Sequence, residues 1–461
     1  MQSTLTATTD YRPGLEDRDW SFKGATTDYG THDLHKYPAR MIPQIPDALF
    51  EHWTHTGTLS EGDLVFDPFS GSGTTAAEAR RHGLNAIATD INPFACLLSR
   101  TKSTVPDLDA LQSAIRQCLG TDWATRERFI EEDHQSAASQ HRTKHGGDIY
   151  PEDSGDQNYN AYGVRKGWFP EPQLAKITAM SRLLSELRAE YDHEVIRFIR
   201  LALAQAARKI SYQRDSEFKR HRIPETDRES HDPDFMEVFV ETLTENFEGL
   251  LEYATQVSDG TTATIKYADC RDSSLLAPDS ADAVVSSPPY GDHSTTVSYG
   301  GFSTDPAAVA TPLKLDQMTD VDPSGLGGSK STSDIYFATV NEWSPTLRAT
   351  VDALKDVDGR DDDVLHFFAD YAETLEQMAR VVKPGQPVAI VLGNRTVSRV
   401  PIPMSVITIE IAQQFQLELE HSLPRSIPSK TLPYENAPEN IPGQTGGLIA
   451  DEYVLIFRAG Q

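Results

Sequence analysis

Two short stretches of this chain combine residue types that could do chemistry together. The first is Asp67-Pro68-Phe69-Ser70-Gly71-Ser72-Gly73-Thr74-Thr75, which lies between an apolar run at 64–66 and a helical pattern at 75–82. A strand, a small-residue turn and a helix in this order form the place where a doubly wound α/β sheet binds a nucleotide-like ligand. The glycines let backbone N–H groups approach the ligand, and the start of the helix offers unpaired donors. No Gly-Lys-Ser/Thr follows, so a phosphate-binding P-loop is not indicated.

The next predicted strand ends in an acidic residue. It reads Asn85-Ala86-Ile87-Ala88-Thr89-Asp90, and a carboxylate at its end is placed to accept both hydroxyls of a ribose. The glycine-rich turn and this acid together predict a nucleoside pocket. A structural turn that happens to be rich in glycine would not need the acid.

The second stretch suited to chemistry is Ser287-Pro288-Pro289-Tyr290, which follows the buried strand pattern Ala283-Val284-Val285-Ser286. Proline cannot continue a central strand, so the chain must turn here. Because the carboxyl ends of parallel strands meet at one edge of a sheet, we expect this turn beside the glycine-rich one. A plain proline turn with an exposed tyrosine would leave this coincidence unexplained.

This tetrad suits alkylation of an exocyclic amino group on an aromatic ring. Such a nitrogen is a poor nucleophile because its lone pair is delocalised into the ring. The Ser287 hydroxyl and the Pro288 carbonyl would accept its hydrogens and draw the lone pair out of the plane, with the carbonyl fixed in advance by the rigid prolines. Tyr290 would stack on the ring, and a cofactor would place its methyl group in line with the nitrogen. A base in duplex DNA would first have to be flipped out.

Composition excludes several classes of protein. A chain of 461 residues, 38% of them hydrophobic, can bury a large core and corresponds to roughly two or three domains. No stretch approaches the roughly 18 apolar residues of a membrane span, and the N-terminus lacks the apolar core of a signal peptide. The three cysteines lie far apart, which indicates neither a disulfide framework nor a zinc site. We therefore expect a cytoplasmic protein with no membrane association.

The formal net charge of −27 allows two interpretations. One is an ordinary acidic enzyme that avoids nucleic acid. The other, which we favour, is adaptation to a salt-rich cytoplasm, where a dense acidic surface stays hydrated. The Debye length is about 3 Å at 1 M salt, so net charge would not prevent binding of a polyanion there. Any contacts with DNA would then have to be close and desolvated.

Helical patterns and a basic run separate the two chemical stretches. The helical patterns cover 108–128, 174–187 and 195–210. The basic run consists of Arg208, Lys209, Arg214, Lys219, Arg220 and Arg222. A charge run is often a solvated face, but its position in an acidic chain equally suits contact with DNA phosphates. We divide the chain into 1–100 (arm, cofactor motif and first half of the core), 101–260 (helical insertion, a DNA-contacting candidate) and 261–461 (second half of the core with the tetrad).

Further strand patterns complete the predicted sheet, at 264–269, 387–392, 417–423 and 452–457. The polar segments 133–160 and 291–363 are expected to form loops, the second of them reaching over the site. Residues 1–30 are expected to form an arm. His32 and His35 lack the further ligands of a metal site, so no metal is expected.

Taken together, these stretches resemble the amino-directed, S-adenosylmethionine-dependent DNA methyltransferases. Residues 32–43 resemble the family's N-terminal cofactor motif, 67–75 its glycine-rich signature and 287–290 its catalytic tetrad. Residues 291–300, 427–430, 440–443 and 452–453 are similar to segments found in a subset of these enzymes. The resemblance implies a Rossmann-like, doubly wound sheet of seven strands, with the largely helical insertion between the cofactor motif and the catalytic motif.

The resemblance also implies a set of site residues. Those expected to bind the cofactor, S-adenosylmethionine, are His35, Tyr37, Pro38, Ala39, Asp67, Pro68, Phe69, Ser70, Gly71, Gly73, Thr74, Asp90, Ile91, Asn92 and Asp269. Within this set, Asp90 would bind the ribose and Asp269 the adenine amino group. The catalytic residues would be Ser287, Pro288, Pro289 and Tyr290. The partner would be double-stranded DNA, with the basic run as its contact surface.

Three functions remain in competition at this point. Serine at the head of the tetrad usually accompanies cytosine N4 in this family, whereas aspartate or asparagine accompanies adenine N6, so we expect a cytosine-N4 methyltransferase. An RNA methyltransferase acting on a guanine amino group would share the pocket, although its tetrad commonly begins with Asp or Asn. A DNA-binding module with a decayed site is disfavoured by the intact tetrad. The sequence leaves open whether a restriction or defence-system partner exists.

Overall fold

The computed structural model describes residues 14–123, 126, 128, 167–214, 221–290, 299–310, 320–329, 335–355, 357, 359–426 and 451–460. Several predictions fall outside these residues: the loop at 133–160, the basic residues Lys219 and Arg220, and the family-like segments 427–430 and 440–443. Within the described part of the chain, no helix combines the length and the apolar character needed to cross a membrane.

A seven-stranded sheet forms the centre of the molecule. Its strands are β1 (Leu64–Asp67), β2 (Asn85–Asp90), β3 (Ala263–Tyr267), β4 (Ala283–Ser286), β5 (Pro387–Gly393), β8 (Leu417–Ser426) and β9 (Asp451–Ala459). They lie in the order β3-β2-β1-β4-β5-β9-β8. Strands β1 to β5 are parallel, and β9 runs antiparallel to both β5 and β8. A separate hairpin pairs β6 (Arg395–Val397) with β7 (Val400–Ile402). The predicted α/β fold with a doubly wound sheet of seven strands is confirmed.

Helices cover both faces of this sheet. In the first half of the chain they are α1 (Gln44–His55), α2 (Thr74–Arg81), α3 (Pro93–Lys102), α4 (Leu108–Leu119), α5 (Glu171–Leu187), α6 (His193–Ile210), α7 (Glu225–Arg228) and α8 (Phe235–Ala254). In the second half they are α9 (Tyr299–Ala310), α10 (Val321–Ser324), α11 (Val340–Trp343), α12 (Pro345–Leu354), α13 (Arg360–Val381) and α14 (Met404–Ala412). A 3₁₀ turn at Gln413–Phe415 precedes β8.

The strand order reverses between β1 and β4, and this reversal creates the crevice of the fold. Val65 pairs with Ala283 and Phe66 with Val284, so the last residues of the two strands lie side by side. In open α/β sheets, ligands bind outside the carboxyl ends of the strands at such a switch point. The glycine-rich turn and the tetrad both begin there.

Alternate residues of the sheet face two separate cores. Val65 packs with α1, α2 and the segment that contains Leu15 and Trp20, whereas Phe66 packs with α12 to α14 on the opposite face. The helices of the insertion form a third cluster together with α3, Leu34 and Tyr37. The insertion therefore shares a core with the segment that was predicted to bind the cofactor.

The loop prediction for 291–363 was wrong over 299–310, 321–324, 340–343 and 345–354, which are helical. Ser344 caps α12 by accepting a hydrogen bond from Leu347 N, and Leu347 and Leu354 are fully buried against α13. Packing against the helix that follows decides the local structure, although the segment contains clusters of glycine, serine and acidic residues. The expectation that it reaches over the site is borne out at Tyr299 and Asp322, which line the cleft described below.

Candidate functional site

Backbone hydrogen bonds fix the glycine-rich turn, one of them within the turn and one to β2. Ser70 N donates to Thr89 O at 2.8 Å and Gly73 N donates to Ser70 O at 2.7 Å. Gly73 has a φ of 85°, and a Cβ there would lie 2.6 Å from Ser99 Cα. Only glycine fits both that conformation and that distance. The turn thus lies directly against α3 at Ser99.

Asp90 at the end of β2 is fixed by two backbone donors. Gly71 N donates to its Oδ2 and Asn92 N to its Oδ1, each at 2.8 Å. Burial raises the pKa of this carboxyl to about 6 in spite of both donors. Each oxygen therefore has one lone pair committed to the backbone and further acceptor capacity for a ligand.

Asp67 at the end of β1 is hydrogen-bonded to β4, the strand that leads into the tetrad. Ser286 Oγ donates to Asp67 Oδ1 at 2.5 Å, and Phe69 N donates to the same oxygen at 3.1 Å. Burial raises the pKa of Asp67 to about 6, with the nearby Asp90 acting in the same direction. This hydrogen bond crosses the switch point, from β4 to β1.

The segment 31–43 lies between the glycine-rich turn and the insertion. Thr74 Oγ1 donates to Met41 O at 3.2 Å, and Asn246 Nδ2 on α8 donates to Leu34 O at 3.2 Å. The Tyr37 hydroxyl accepts a hydrogen bond from Asn92 Nδ2 at 3.2 Å. Contacts on both sides thus place Tyr37, Pro38 and Ala39 along the cleft.

The tetrad continues β4 into the same cleft. Ser287 and Pro289 line it, and Pro288 is buried. Tyr290 does not line it but packs against the core cluster around α13 and β5. The Tyr290 carbonyl accepts a hydrogen bond from Arg395 Nη1 at 2.5 Å. Burial raises the pKa of the Tyr290 hydroxyl above its ordinary value.

One cleft unites most of the predicted cofactor residues with the head of the tetrad. All of the predicted cofactor residues line it except His35 and Gly73. His35 is fully buried, with its ring edge-on to Phe94 at 4.9 Å. Gly73, the last glycine of the turn, faces Ser99 and not the cleft. The empty volume is about 1130 Å³, including the part open to solvent.

Several lining residues were not predicted from the sequence. Arg40 and Met41 continue the segment of Tyr37, and Arg271 follows the predicted Asp269. Phe367 comes from α13. A further group forms what we call the roof: Tyr299, Val321, Asp322, Ser324, Gly325 and Leu326. No local motif marks the roof, but proximity to Asp269 could have pointed to Arg271.

The roof is joined to the cofactor side of the cleft. Ser303 Oγ lies 3.2 Å from Asn92 Nδ2, and the Tyr299 and Tyr37 rings are 6.0 Å apart. Asp322 accepts hydrogen bonds from Gly300 N at 3.0 Å and Gly301 N at 3.3 Å. Helix α9 is thereby joined both to the cofactor side of the cleft and to the rest of the roof.

The donor set suits a nucleoside that carries a charged amino acid tail. Asp90 can accept ribose hydroxyls, the apolar surfaces of Phe69 and Ile91 can cover a base, and Asp67 can balance a positive charge. The glycine-rich turn permits close approach of backbone. These residues fit S-adenosylmethionine.

The basic run is not uniformly exposed. Arg208 is only 3% exposed, and its guanidinium lies 5.5 Å from the centre of the Phe302 ring, so it does not form part of a phosphate-contacting surface as predicted. Lys209 pairs with Glu245 at 3.2 Å. Arg222 donates to Gly167 O at 3.1 Å and lies over the Trp168 ring. Arg214 and Arg222 belong to strand-like segments that pair beside each other.

A group of potential metal ligands lies on the other side of α2. Asp47, Glu78 and His82 are close enough for one ion to contact all three. Arg81 already forms ion pairs with Glu78 at 2.5 Å and with Asp47 at 3.7 Å. The negative charge of this group is therefore balanced by a guanidinium.

The fold and the cleft are consistent with a Rossmann-like methyltransferase. A family model described as DNA methylase, for N6 and N4 methyltransferases, matches residues 10–101. The type II methyltransferase M.MvaI of Kocuria varians is 29% identical over 449 residues, covering 95% of this chain and 93% of that protein. M.BsoBI of Geobacillus stearothermophilus, also a type II methyltransferase, is 21% identical over 84% of this chain and 79% of its own.

Among solved structures, the rRNA methyltransferase aviRa from Streptomyces viridochromogenes aligns with 92% of this chain and 89% of its own, at 11% identity. The TM-score of this alignment is 0.31.

The family-model match over residues 10–101 and the two type II relatives support placing the chain with the amino-directed N6/N4 DNA methyltransferases. Methyltransferases of this family use S-adenosylmethionine as the methyl donor.

Proposed function

We propose that this protein methylates the N4 atom of cytosine, flipped out of double-stranded DNA, with S-adenosylmethionine as the donor. The observation that carries the proposal is the shared cleft, in which Ser287 and Pro289 lie on the same opening as Asp67, Gly71 and Asp90. The choice of cytosine N4 rests on serine at the head of the tetrad. Adenine N6 is the alternative within the family.

The donor end of the cleft would bind S-adenosylmethionine by its three parts. Asp90 would accept the ribose hydroxyls, Asp269 the adenine amino group, and Asp67 would face the charged amino group. When bound, the cofactor supplies an electrophilic methyl group. Because these acceptors are already held in place, little reorganisation would be needed on binding.

The acceptor end would prepare the amino nitrogen for attack. The Ser287 hydroxyl and the Pro288 carbonyl would accept its two hydrogens, which localises the lone pair on nitrogen. Arg395 supports this geometry because it holds the carbonyl of Tyr290 at 2.5 Å, immediately after the prolines. No covalent intermediate with the enzyme is required.

Tyr290 would stack on the flipped base. Its side chain packs against the core cluster around α13 and β5, so stacking would require the ring to turn towards the cleft. The Ser287 hydroxyl would accept from the amino group of the same base. Stacking would offset part of the cost of flipping, which is a few kcal/mol.

DNA would approach the cleft along the exposed members of the basic run. The run begins at the end of α6, and Arg208 from that helix packs on Phe302 of α9, the helix that carries Tyr299 of the roof. Lys209, Arg214 and Arg222 would contact phosphates. At a net charge of −27, such contacts would be strongest where salt screens the long-range repulsion.

A restriction endonuclease would be the biological partner. M.MvaI and M.BsoBI are both described as type II methyltransferases. By extension, methylation by this protein would protect host DNA from an enzyme that cuts the same sequence.

The test is to identify the methylated base. The purified protein is incubated with labelled S-adenosylmethionine and either duplex DNA or tRNA, in a series of KCl concentrations up to molar, and the products are digested to nucleosides. We expect N4-methylcytosine from DNA. N6-methyladenine would refute the base assignment, label only in RNA would refute the substrate, and no transfer at any salt concentration would refute the activity.

A further inference from the structure

The Arg271 guanidinium binds the carboxylate of Asp269 through two parallel hydrogen bonds, an arrangement that we call a fork. Its Nε donates to Oδ1 at 2.9 Å and its Nη2 donates to Oδ2 at 2.6 Å. The backbone N–H of Arg271 also donates to Oδ1, at 3.0 Å. A planar guanidinium that meets a carboxylate in this way fixes its orientation as well as its charge.

The same guanidinium reaches a second acid on another element. Its Nη1 lies 2.8 Å from Oδ1 of Asp370 on α13. Asp370 is 2% exposed at its side chain and Arg271 11%, whereas Asp269 remains 37% exposed and lines the cleft. A buried carboxylate without a partner is strongly unfavourable. Moving Arg271 away from Asp370 would therefore cost free energy, and the ion pair fixes the position of the guanidinium.

Asp370 also binds the turn that directly follows the last roof residue, Leu326. Its Oδ2 accepts a hydrogen bond from Gly327 N at 2.6 Å. Gly327 has a φ of 69°, and a Cβ there would lie 2.9 Å from Phe367 Cα, so the turn presses directly on α13. Gly328 N closes this turn by donating to Gly325 O at 2.9 Å. Gly325 and Leu326 line the cleft beside Asp269.

We propose that Arg271 and Asp370 are positioning residues for cofactor recognition: they orient Asp269 so that it accepts from a purine 6-amino group, and they tie this acceptor to the roof. The inference rests on the proposed binding of S-adenosylmethionine. It goes further by assigning the selectivity for the adenine base to a chain of contacts that runs Asp269–Arg271–Asp370–Gly327.

The selectivity follows from the count of acceptor sites on Asp269. A carboxylate has about four lone-pair positions, and the three donors from Arg271 occupy two on Oδ1 and one on Oδ2. The remaining position on Oδ2 can accept an amino hydrogen. A carbonyl oxygen at the same place, as in hypoxanthine, would be repelled. Loss of the guanidinium fork would let the carboxylate rotate and weaken this distinction.

The experiment measures binding of two product analogues by calorimetry, S-adenosylhomocysteine and S-inosylhomocysteine. The wild-type protein should prefer the adenine form by at least about tenfold, the effect expected of one hydrogen bond to a charged group. Arg271→Lys keeps the cation but loses the fork. It should lower affinity for S-adenosylhomocysteine by about tenfold and bring the ratio of the two affinities close to one.

The matched control is Arg458→Lys. Arg458 on β9 makes an equivalent fork with Glu420 on the neighbouring strand β8, at 2.5 Å and 2.8 Å. This variant should bind both analogues as the wild type does. Thermal melting of each variant shows that it is folded before binding is measured.

The coupling to Asp370 is tested with Asp370→Asn and the double variant. Since both residues act on one carboxylate, the loss in the double variant should be close to the larger single loss, whereas independent residues would give the product of the two. A wild-type affinity ratio in Arg271→Lys, or multiplicative losses, would overturn the inference and leave the proposed function intact. A wild-type protein that binds neither analogue would overturn both.

Discussion

The two ends of the cleft are held in different ways. At the donor end, the Asp90 carboxylate and the glycine-rich turn are fixed by backbone N–H and C=O groups. At the acceptor end, side chains hold the tetrad: Arg395 donates to the Tyr290 carbonyl, and the Tyr290 ring packs against the core cluster around α13 and β5. Backbone contacts persist through most substitutions, whereas a side-chain contact can be exchanged for one to a substrate. The donor end is therefore preformed, and the acceptor end is arranged to be completed by the base.

This difference predicts that changes at the acceptor end affect the rate. Ser287→Ala should lower kcat by about 100- to 1000-fold, the typical loss on removal of one preoriented polar group. The Kd for S-adenosylmethionine should stay within about twofold of the wild type. Initial-rate assays at saturating S-adenosylmethionine give kcat, and calorimetry gives Kd. A variant whose donor affinity falls as much as its kcat would show that the two ends are not separate.

Changes at the donor end should affect affinity instead. Asp90→Ala removes the acceptor for the ribose and for two backbone N–H groups, so Kd for S-adenosylmethionine should rise about 100-fold, or about 2.7 kcal/mol. At saturating donor, kcat should stay within a few-fold of the wild type. Asp90→Asn is the control that keeps one carbonyl acceptor and should lose less. Normal donor binding by the alanine variant would refute the assignment of this pocket.

The hydrogen bond between Ser286 and Asp67 joins the two ends, and its effect should depend on pH. The pKa values of Asp67 and Asp90 are both about 6, above the ordinary value, so both carboxylates are ionised at pH 8 and take up protons as the pH falls through 6. Affinity for the positively charged donor should therefore fall on acidification, by about tenfold between pH 8 and pH 5. Arg40 and Arg271 also line the cleft.

Ser286→Ala removes a donor that favours ionised Asp67, so in this variant the fall should begin at higher pH. Ser286→Thr keeps the hydroxyl and should restore the wild-type profile. Calorimetric titrations at pH 5, 6, 7 and 8 separate the three proteins. Superimposable profiles for the alanine variant and the wild type would mean that the hydrogen bond does not control Asp67.

The smallest effects are expected outside the cleft, on the basic run. Lys209→Gln and Arg214→Gln should each weaken duplex binding about threefold, and each should reduce the slope of log Kd against log salt by about 1. The control is Lys355→Gln, which removes an exposed lysine paired with Asp352 on α12. Fluorescence anisotropy over a salt series gives the slopes. If all three variants behave alike, the basic run is a solvated face.

Local patterns in the sequence were sufficient to predict the donor end and much of the sheet. The strand at 85–90 and the strand at 283–286 have the predicted bounds. The turns that follow β1 and β4 meet because parallel strands share one carboxyl edge, which topology alone dictates. Asp67, Gly71, Asp90 and Ser287 could therefore be assigned to one cleft before any coordinates.

The rest depended on contacts between distant parts of the chain. Arg271 and Asp370 lie on different elements, and nothing near either residue in the sequence indicates that they pair. The burial of Arg208 follows from helix α9, which itself lies in a segment predicted as loop. His35 has the right neighbours in its motif, but packing against Phe94 turns its ring away from the cleft.

A crystal structure with S-adenosylhomocysteine bound would test the central claim most directly. The account predicts the ribose hydroxyls on Asp90, the adenine amino group on Asp269, and the sulfur turned towards Ser287. A ligand bound in this pocket with its sulfur facing away from Ser287, or bound at another site altogether, would contradict it.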